Sequence, residues 1–130
     1  MAKGYMGWLL PQAERDRLLE LFEPQYPTVV AHHCTLKFGV DETTPLPRET
    51  SAAVVGMADD GQGVQALILS IGGTTSRPDG ATYHITWSLK PGRKPVESNK
   101  VIENFGWTPV VPAQQITIKP EFFLFTSAKN

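Results

Sequence analysis

The chain has 130 residues, of which 41% are hydrophobic and 19% charged, with a formal net charge of −1. That length fits one domain over residues 1–130, able to bury about two-thirds of its unfolded surface without a disulfide or metal. The near-neutral balance excludes a protein that coats nucleic acid by charge alone. The single cysteine, Cys34, excludes an internal disulfide framework and a multi-thiolate zinc site within one chain.

Tyr5 to Leu10 is short, apolar and aromatic, and reads as a strand. Pro11 suits a first helical position, and Gln12 to Phe22 reads as an amphipathic helix with Leu18, Leu19, Leu21 and Phe22 on one side. Val29 to Val40 alternates as a strand. Val30, His32, Cys34, Leu36 and Phe38 take the core face; Ala31, His33, Thr35 and Lys37 take the other. Ser51 to Ala58 and Val64 to Ile71 flank Asp59-Asp60-Gly61-Gln62-Gly63 as a hairpin. Gly72 to Gly80 is a polar loop. Thr82 to Leu89 alternates again, with Tyr83, Ile85, Trp87 and Leu89 opposite Thr82, His84, Thr86 and Ser88. Ser98 to Phe105 reads as a helix with Ser98 as N-cap and Gly106 as its stop. Gln115 to Ile118 and Phe122 to Thr126 close the chain as strands. Strands with two separated helices make an α+β protein with mainly antiparallel pairing.

Met1 to Leu10 lacks the basic and long apolar regions of a signal peptide. No stretch approaches the ~18–20 apolar residues that span a bilayer. The expected setting is a reducing cytoplasm, with no membrane and no obligate protein partner.

Two of the three histidines head the same pattern, His33-Cys34-Thr35 and His84-Ile85-Thr86. In a strand, residues two apart leave the same face, so each segment presents an imidazole and a hydroxyl opposite an apolar face. That set suits phosphodiester cleavage without a cofactor or metal. One imidazole takes a proton from the attacking oxygen while the other, protonated, gives one to the leaving oxygen. The hydroxyls can bond the non-bridging oxygens where negative charge builds. Ordinary imidazoles would place the activity between roughly pH 6 and 8. Binding alone has no need of paired acid–base groups.

The motifs His32-His33-Cys34-Thr35-Leu36-Lys37-Phe38 and Tyr83-His84-Ile85-Thr86-Trp87-Ser88-Leu89 resemble the 2H phosphoesterase superfamily, marked by two His-x-Thr/Ser segments on central strands. Gly4-Tyr5-Met6-Gly7-Trp8 and Lys94-Pro95-Val96-Glu97-Ser98-Asn99 look most like the cyclic phosphodiesterase domain of fungal tRNA ligases and its small stand-alone relatives. The resemblance implies a bilobal fold, with two mainly antiparallel sheets facing a central cleft and two short helices outside. It implies His33 and His84 as the catalytic pair and Thr35 and Thr86 as phosphate ligands. The implied substrate is a nucleotide 2′,3′-cyclic phosphate, on an RNA end or a mononucleotide, opened to a 2′-phosphate. Rival readings are a phage-type hydrolase of cyclic oligonucleotide defence signals and a non-catalytic nucleotide-binding module.

Tyr5, Lys37, Arg77 and Lys90 are the candidate substrate contacts. Tyr5, Trp8, Trp87 and Trp107 can each stack on a base, although alternation assigns Trp87 to the core. Lys37 shares the face of His33 and Thr35. Lys90, with Arg93, Lys94 and Lys100, forms either a basic lip beside the second motif or a solvated turn. Arg77 sits in the polar loop. Cys34 and His32 alternate into the core, Cys34 as an inert thiol and His32 as a structural residue.

Overall fold

A computed structural model describes residues 3–125; Thr126, expected at the end of the last strand, lies outside them. The elements run β1 (Lys3–Leu9), α1 (Gln12–Leu21), β2 (Thr28–Val29), β3 (His33–Asp41), β4 (Ser51–Asp59), β5 (Val64–Ser70), β6 (His84–Leu89), α2 (Glu97–Phe105), β7 (Thr108–Thr117) and β8 (Lys119–Leu124). Every strand pair is antiparallel. None of the described helices is long and apolar enough to cross a membrane.

Where two sheets were expected, the strands bond into one curled sheet in the order β7-β4-β5-β6-β3-β1-β8, with β2 beside β6. Its halves meet at β6 and β3 through one registered pair, Cys34 with Ile85. The same edge of β6 is also bonded by Val30 N to Trp87 O at 2.9 Å and Ala31 N to Thr86 O at 3.0 Å, and each half brings one of the two motifs to the seam.

The apolar alternation buries both faces of the central strands. On one face Trp8, Cys34, Leu67, Leu69, Ile85 and Trp87 pack around Leu18 of α1. On the other, Val64, Ala66, Ile68 and Leu89 pack against Val101 and Ile102 of α2. A register shift between Gln65 and Ala66 carries Leu89 to this second core, away from the face of Ile85 and Trp87 on which strict alternation put it. β5 therefore reads as an unbroken buried run from Val64 to Leu69. Its one polar member, Gln65, accepts from Gln25 N at 3.0 Å and Ser88 Oγ at 2.6 Å. On α1 only Leu18 is fully buried, and Leu21 is exposed. The helix is also tied by polar bonds, Arg15 Nε to Ala31 O at 3.0 Å and Arg17 Nη2 to Gln115 O at 2.9 Å.

The expected strand from Val29 to Val40 is broken, and the break matters for the site. Val29 pairs with Ser88 and Cys34 with Ile85, so five steps along one strand oppose three along the other. The surplus is absorbed around Ala31, whose φ of 45° lies in the left-handed region. A bulge of this kind re-aims side chains. His32 is extruded to the surface, which corrects its assignment to the core. A second irregularity, against β1 between Met6 and Gly7, leaves Leu36 without a registered partner; Tyr5 pairs with Phe38 and Met6 with Lys37.

Candidate active site

The antiparallel pair Cys34–Ile85 sets His33 across from Thr86 and Thr35 across from His84. Cys34 and Ile85 point into the core, so all four motif side chains leave the opposite face. That face floors a cleft of about 520 Å³, within the range of small-molecule sites. The stretch from Lys94 to Asn99 at the start of α2 forms one wall. Tyr5, Phe38, Leu124 and Phe125 form the other, and Arg77 also lines the cleft.

His84 is buried, and its Nδ1 lies 2.8 Å from the carbonyl oxygen of Thr82. A carbonyl only accepts, so Nδ1 carries the hydrogen and Nε2 is the nitrogen left to exchange a proton. Burial lowers its pKa, and the charge of Arg77 adds to the lowering, while the bond to Thr82 opposes both. His33 packs against the rings of Tyr5 and Phe123, at centroid distances of 5.3 and 5.1 Å, while those two rings stack on each other. Its pKa is pushed down to about 4, first by burial and then by His32 and His84. His32 Nδ1 stands 3.0 Å from His33 Nδ1, so one ring donates to the other.

The two threonines differ. Thr86 Oγ1 lies 2.8 Å from Ser98 Oγ and donates to Pro95 O at 3.2 Å. Ser98, expected as the N-cap of α2, instead lies buried inside the helix, where its hydroxyl meets Thr86. Val96 occupies the cap position without a side-chain bond, and Gly106 ends the helix as expected, at φ 70°. Thr35 is held through its backbone, its carbonyl accepting from Arg77 Nη1 at 3.3 Å.

Arg77 is only 6% exposed. Asp79 grips it through Nε at 3.0 Å and Nη2 at 2.9 Å. The polar loop thus delivers a rigid guanidinium to the cleft. Two other expected contacts are absent from the cleft lining. Lys37 is exposed and, after the bulge at Leu36, Phe38 takes the place beside Tyr5. Lys90 is exposed at the hairpin beside Gly63, and Lys94 is the lysine that lines the cleft. Val96 and Asn99 belong to the stretch that carries the resemblance, but neither they nor Phe125 were expected at the site, because nothing local says that α2 and the end of β8 converge on one face.

Cys34 is buried and its thiol is pushed up to about 12 by burial, consistent with an inert role. Among the described residues, no group of three or more His, Cys, Asp or Glu side chains is placed to hold a metal ion. No family model matches the chain, and no curated protein or solved structure matches it.

Proposed function

We propose that this protein is a two-histidine phosphodiesterase of the 2H type, acting on a nucleotide phosphodiester. The observation that carries the reading is the quartet His33, Thr35, His84 and Thr86 on one face at the seam of the sheet. Two perturbed imidazoles in one cleft are a common mark of acid–base chemistry. The favoured substrate is a 2′,3′-cyclic phosphate. Water attacks phosphorus as one imidazole takes its proton. The bond to the 3′-oxygen breaks, that oxygen receives a proton from the other imidazole, and a 2′-phosphate remains. In such a step Thr35, Thr86 and Arg77 meet the non-bridging oxygens. Ser98 can donate to Thr86 Oγ1, and the Thr86 hydrogen, held by Pro95 O in the free protein, would turn to the phosphate when substrate binds. The test is turnover by the purified protein, with chelator present, of 2′,3′-cyclic mononucleotides, 3′,5′-cyclic mononucleotides and cyclic dinucleotides. No turnover of any of them defeats the proposal.

The pKa directions move the expected pH range. The base must be neutral, and for His33 that holds above about pH 4. The acid must be protonated, and for His84 that fails as pH rises through a value below the ordinary 6.5. Exchanging the two roles leaves both values below 6.5. A bell-shaped plot of kcat/KM against pH is therefore expected to peak below pH 6.5, not at 6–8, since this ratio reports the free enzyme. The kcat profile should sit at higher pH, because a bound phosphate anion favours the imidazolium. A kcat/KM maximum above pH 7 would contradict the assignment.

Arg77 supplies a second check. Asp79 and Thr35 occupy part of its donor set, and the rest is available to an anion. Arg77→Met should lower kcat/KM by about 10²-fold, the scale of one lost transition-state donor. Arg77→Lys should fall between, having charge without the planar fork. Equal activity in all three proteins would remove Arg77 from the site.

A further inference from the structure

A second cavity, of about 250 Å³, lies along α2 beside the first. Asn99, Ile102, Glu103 and Gly106 line it at helical spacing, facing Thr82 and Trp107. Asn99 lines both cavities, so the two adjoin. Thr82 also links them, because its carbonyl holds His84. A molecule seated between the histidines therefore has a second space within reach.

Trp107 gives that space its character. Trp8 and Trp87 are 2% and 0% exposed, whereas Trp107 is 38% exposed. Its ring lies against Gly56 of β4, where an added Cβ would come within 2.1 Å of Cε3 and 2.6 Å of Cζ3. The missing side chain at residue 56 lets the sheet backbone support the indole. An exposed ring braced in this way is a platform on which a nucleobase can stack with little loss of freedom.

The polar groups of the cavity fit a base better than a second phosphate. Lys100 Nζ is paired with Glu103 Oε1 at 3.3 Å, so their charges offset each other. Asn99 donates from Nδ2 to Val96 O at 3.1 Å. Its Oδ1 is buried with no hydrogen-bond partner among the described residues. A buried acceptor without a donor is uncommon; Asn99 lines both cavities, and a small turn of its side chain would bring Oδ1 to the amino N–H donors that base edges carry.

We propose that this cavity is a nucleobase subsite and that the ligand spans at least two nucleotides. Its phosphodiester lies between His33 and His84 and its further base lies against Trp107. The proposal rests on the nucleotide reading of the cleft, but its test reads binding and not turnover. Binding is read by isothermal titration calorimetry, which measures the wild-type protein and the Trp107 variants alike. The probes are adenosine monophosphate, the 2′-deoxy dinucleoside monophosphate of adenine, and cyclic di-adenosine monophosphate.

At least one dinucleotide should bind about tenfold or more tightly than the mononucleotide. Which one does so distinguishes a linear from a cyclic ligand. Trp107→Ala should lose that advantage, a tenfold change being about 1.4 kcal/mol and within the range of base–aromatic stacking. Mononucleotide affinity should stay within about twofold. Trp107→Leu keeps apolar cover over Gly56 without a π-face and should behave like Trp107→Ala, while Trp107→Phe should retain most of the advantage. Equal affinity for mono- and dinucleotides, or dinucleotide affinity unchanged in Trp107→Leu, overturns the proposal. Cleavage of 2′,3′-cyclic mononucleotides with no effect of Trp107 would leave the phosphodiesterase reading standing and this one refuted. Trp107-dependent dinucleotide binding without cleavage of any substrate would do the reverse.

Discussion

On the proposed mechanism, His33→Ala and His84→Ala are each expected to lower turnover at least ~10²-fold, because each would remove one half of a general acid–base couple. The double variant should lose far less than the product of the two, since neither group works without the other. Steady-state kinetics on a 2′,3′-cyclic mononucleotide, with the fold verified by circular dichroism, gives the measurement. His32→Ala makes the control. Alternation along the strand assigns His32 to the core and foretells a stability loss, but the bulge at Ala31 puts it on the surface beside His33. Its removal should leave stability within about 0.5 kcal/mol, as for most surface changes. It should also raise the pKa of His33, because His32 is one of the groups that depress it. The acid limb of the pH profile then moves to higher pH. A folded, inactive His32→Ala beside an active His33→Ala would exchange their roles.

The largest stability effect is expected at Trp87. Its side chain is fully buried at the centre of the core, and its Nε1 donates to Phe22 O at 2.8 Å. Trp87→Ala removes the indole, leaves a cavity and strands that carbonyl at the end of α1. Aromatic-to-alanine changes in cores cost about 3–5 kcal/mol, a large share of the ~5–15 kcal/mol by which domains are stable. Urea unfolding should show a midpoint far below the wild-type value with the slope nearly unchanged. A loss under about 1 kcal/mol would mean that Trp87 is not packed as described. Because Trp87 follows Thr86 directly, activity should fall at least in proportion to the folded fraction.

Much of the site was legible in one dimension because β-structure has a period of two. Placing a histidine and a threonine two apart puts them on one face whatever the rest of the chain does. Apolar neighbours at Cys34, Ile85 and Trp87 then orient that face away from the core. Local turn and cap chemistry was readable for the same reason. The hairpin at Asp59–Gly63 and the stop at Gly106 depend on residues adjacent in sequence, and both elements end close to where expected.

Ser98 shows where local reading fails. A serine at the start of a helix suits an N-cap, but here tertiary contact turns its hydroxyl to Thr86. Lys37 failed for a related reason. A side chain's face inverts with every inserted residue, and insertions are fixed by pairing with another strand. Neither the bulge at Ala31 nor the irregularity at Leu36 is written in the residues beside it; both arise from matching β3 to β6 and β1.

By itself, then, the sequence determined the α+β class, the antiparallel strands and the paired His-x-Thr faces, all set by periodicity and local turn chemistry. Only the tertiary structure decided that the two motifs meet at a seam of one sheet. It alone brought Arg77 into the cleft, put Lys94 there in place of Lys90, exposed His32 and braced Trp107 on Gly56. Each of those outcomes depends on contacts between residues far apart in the chain, where register and packing choose among placements that the local residues leave equal.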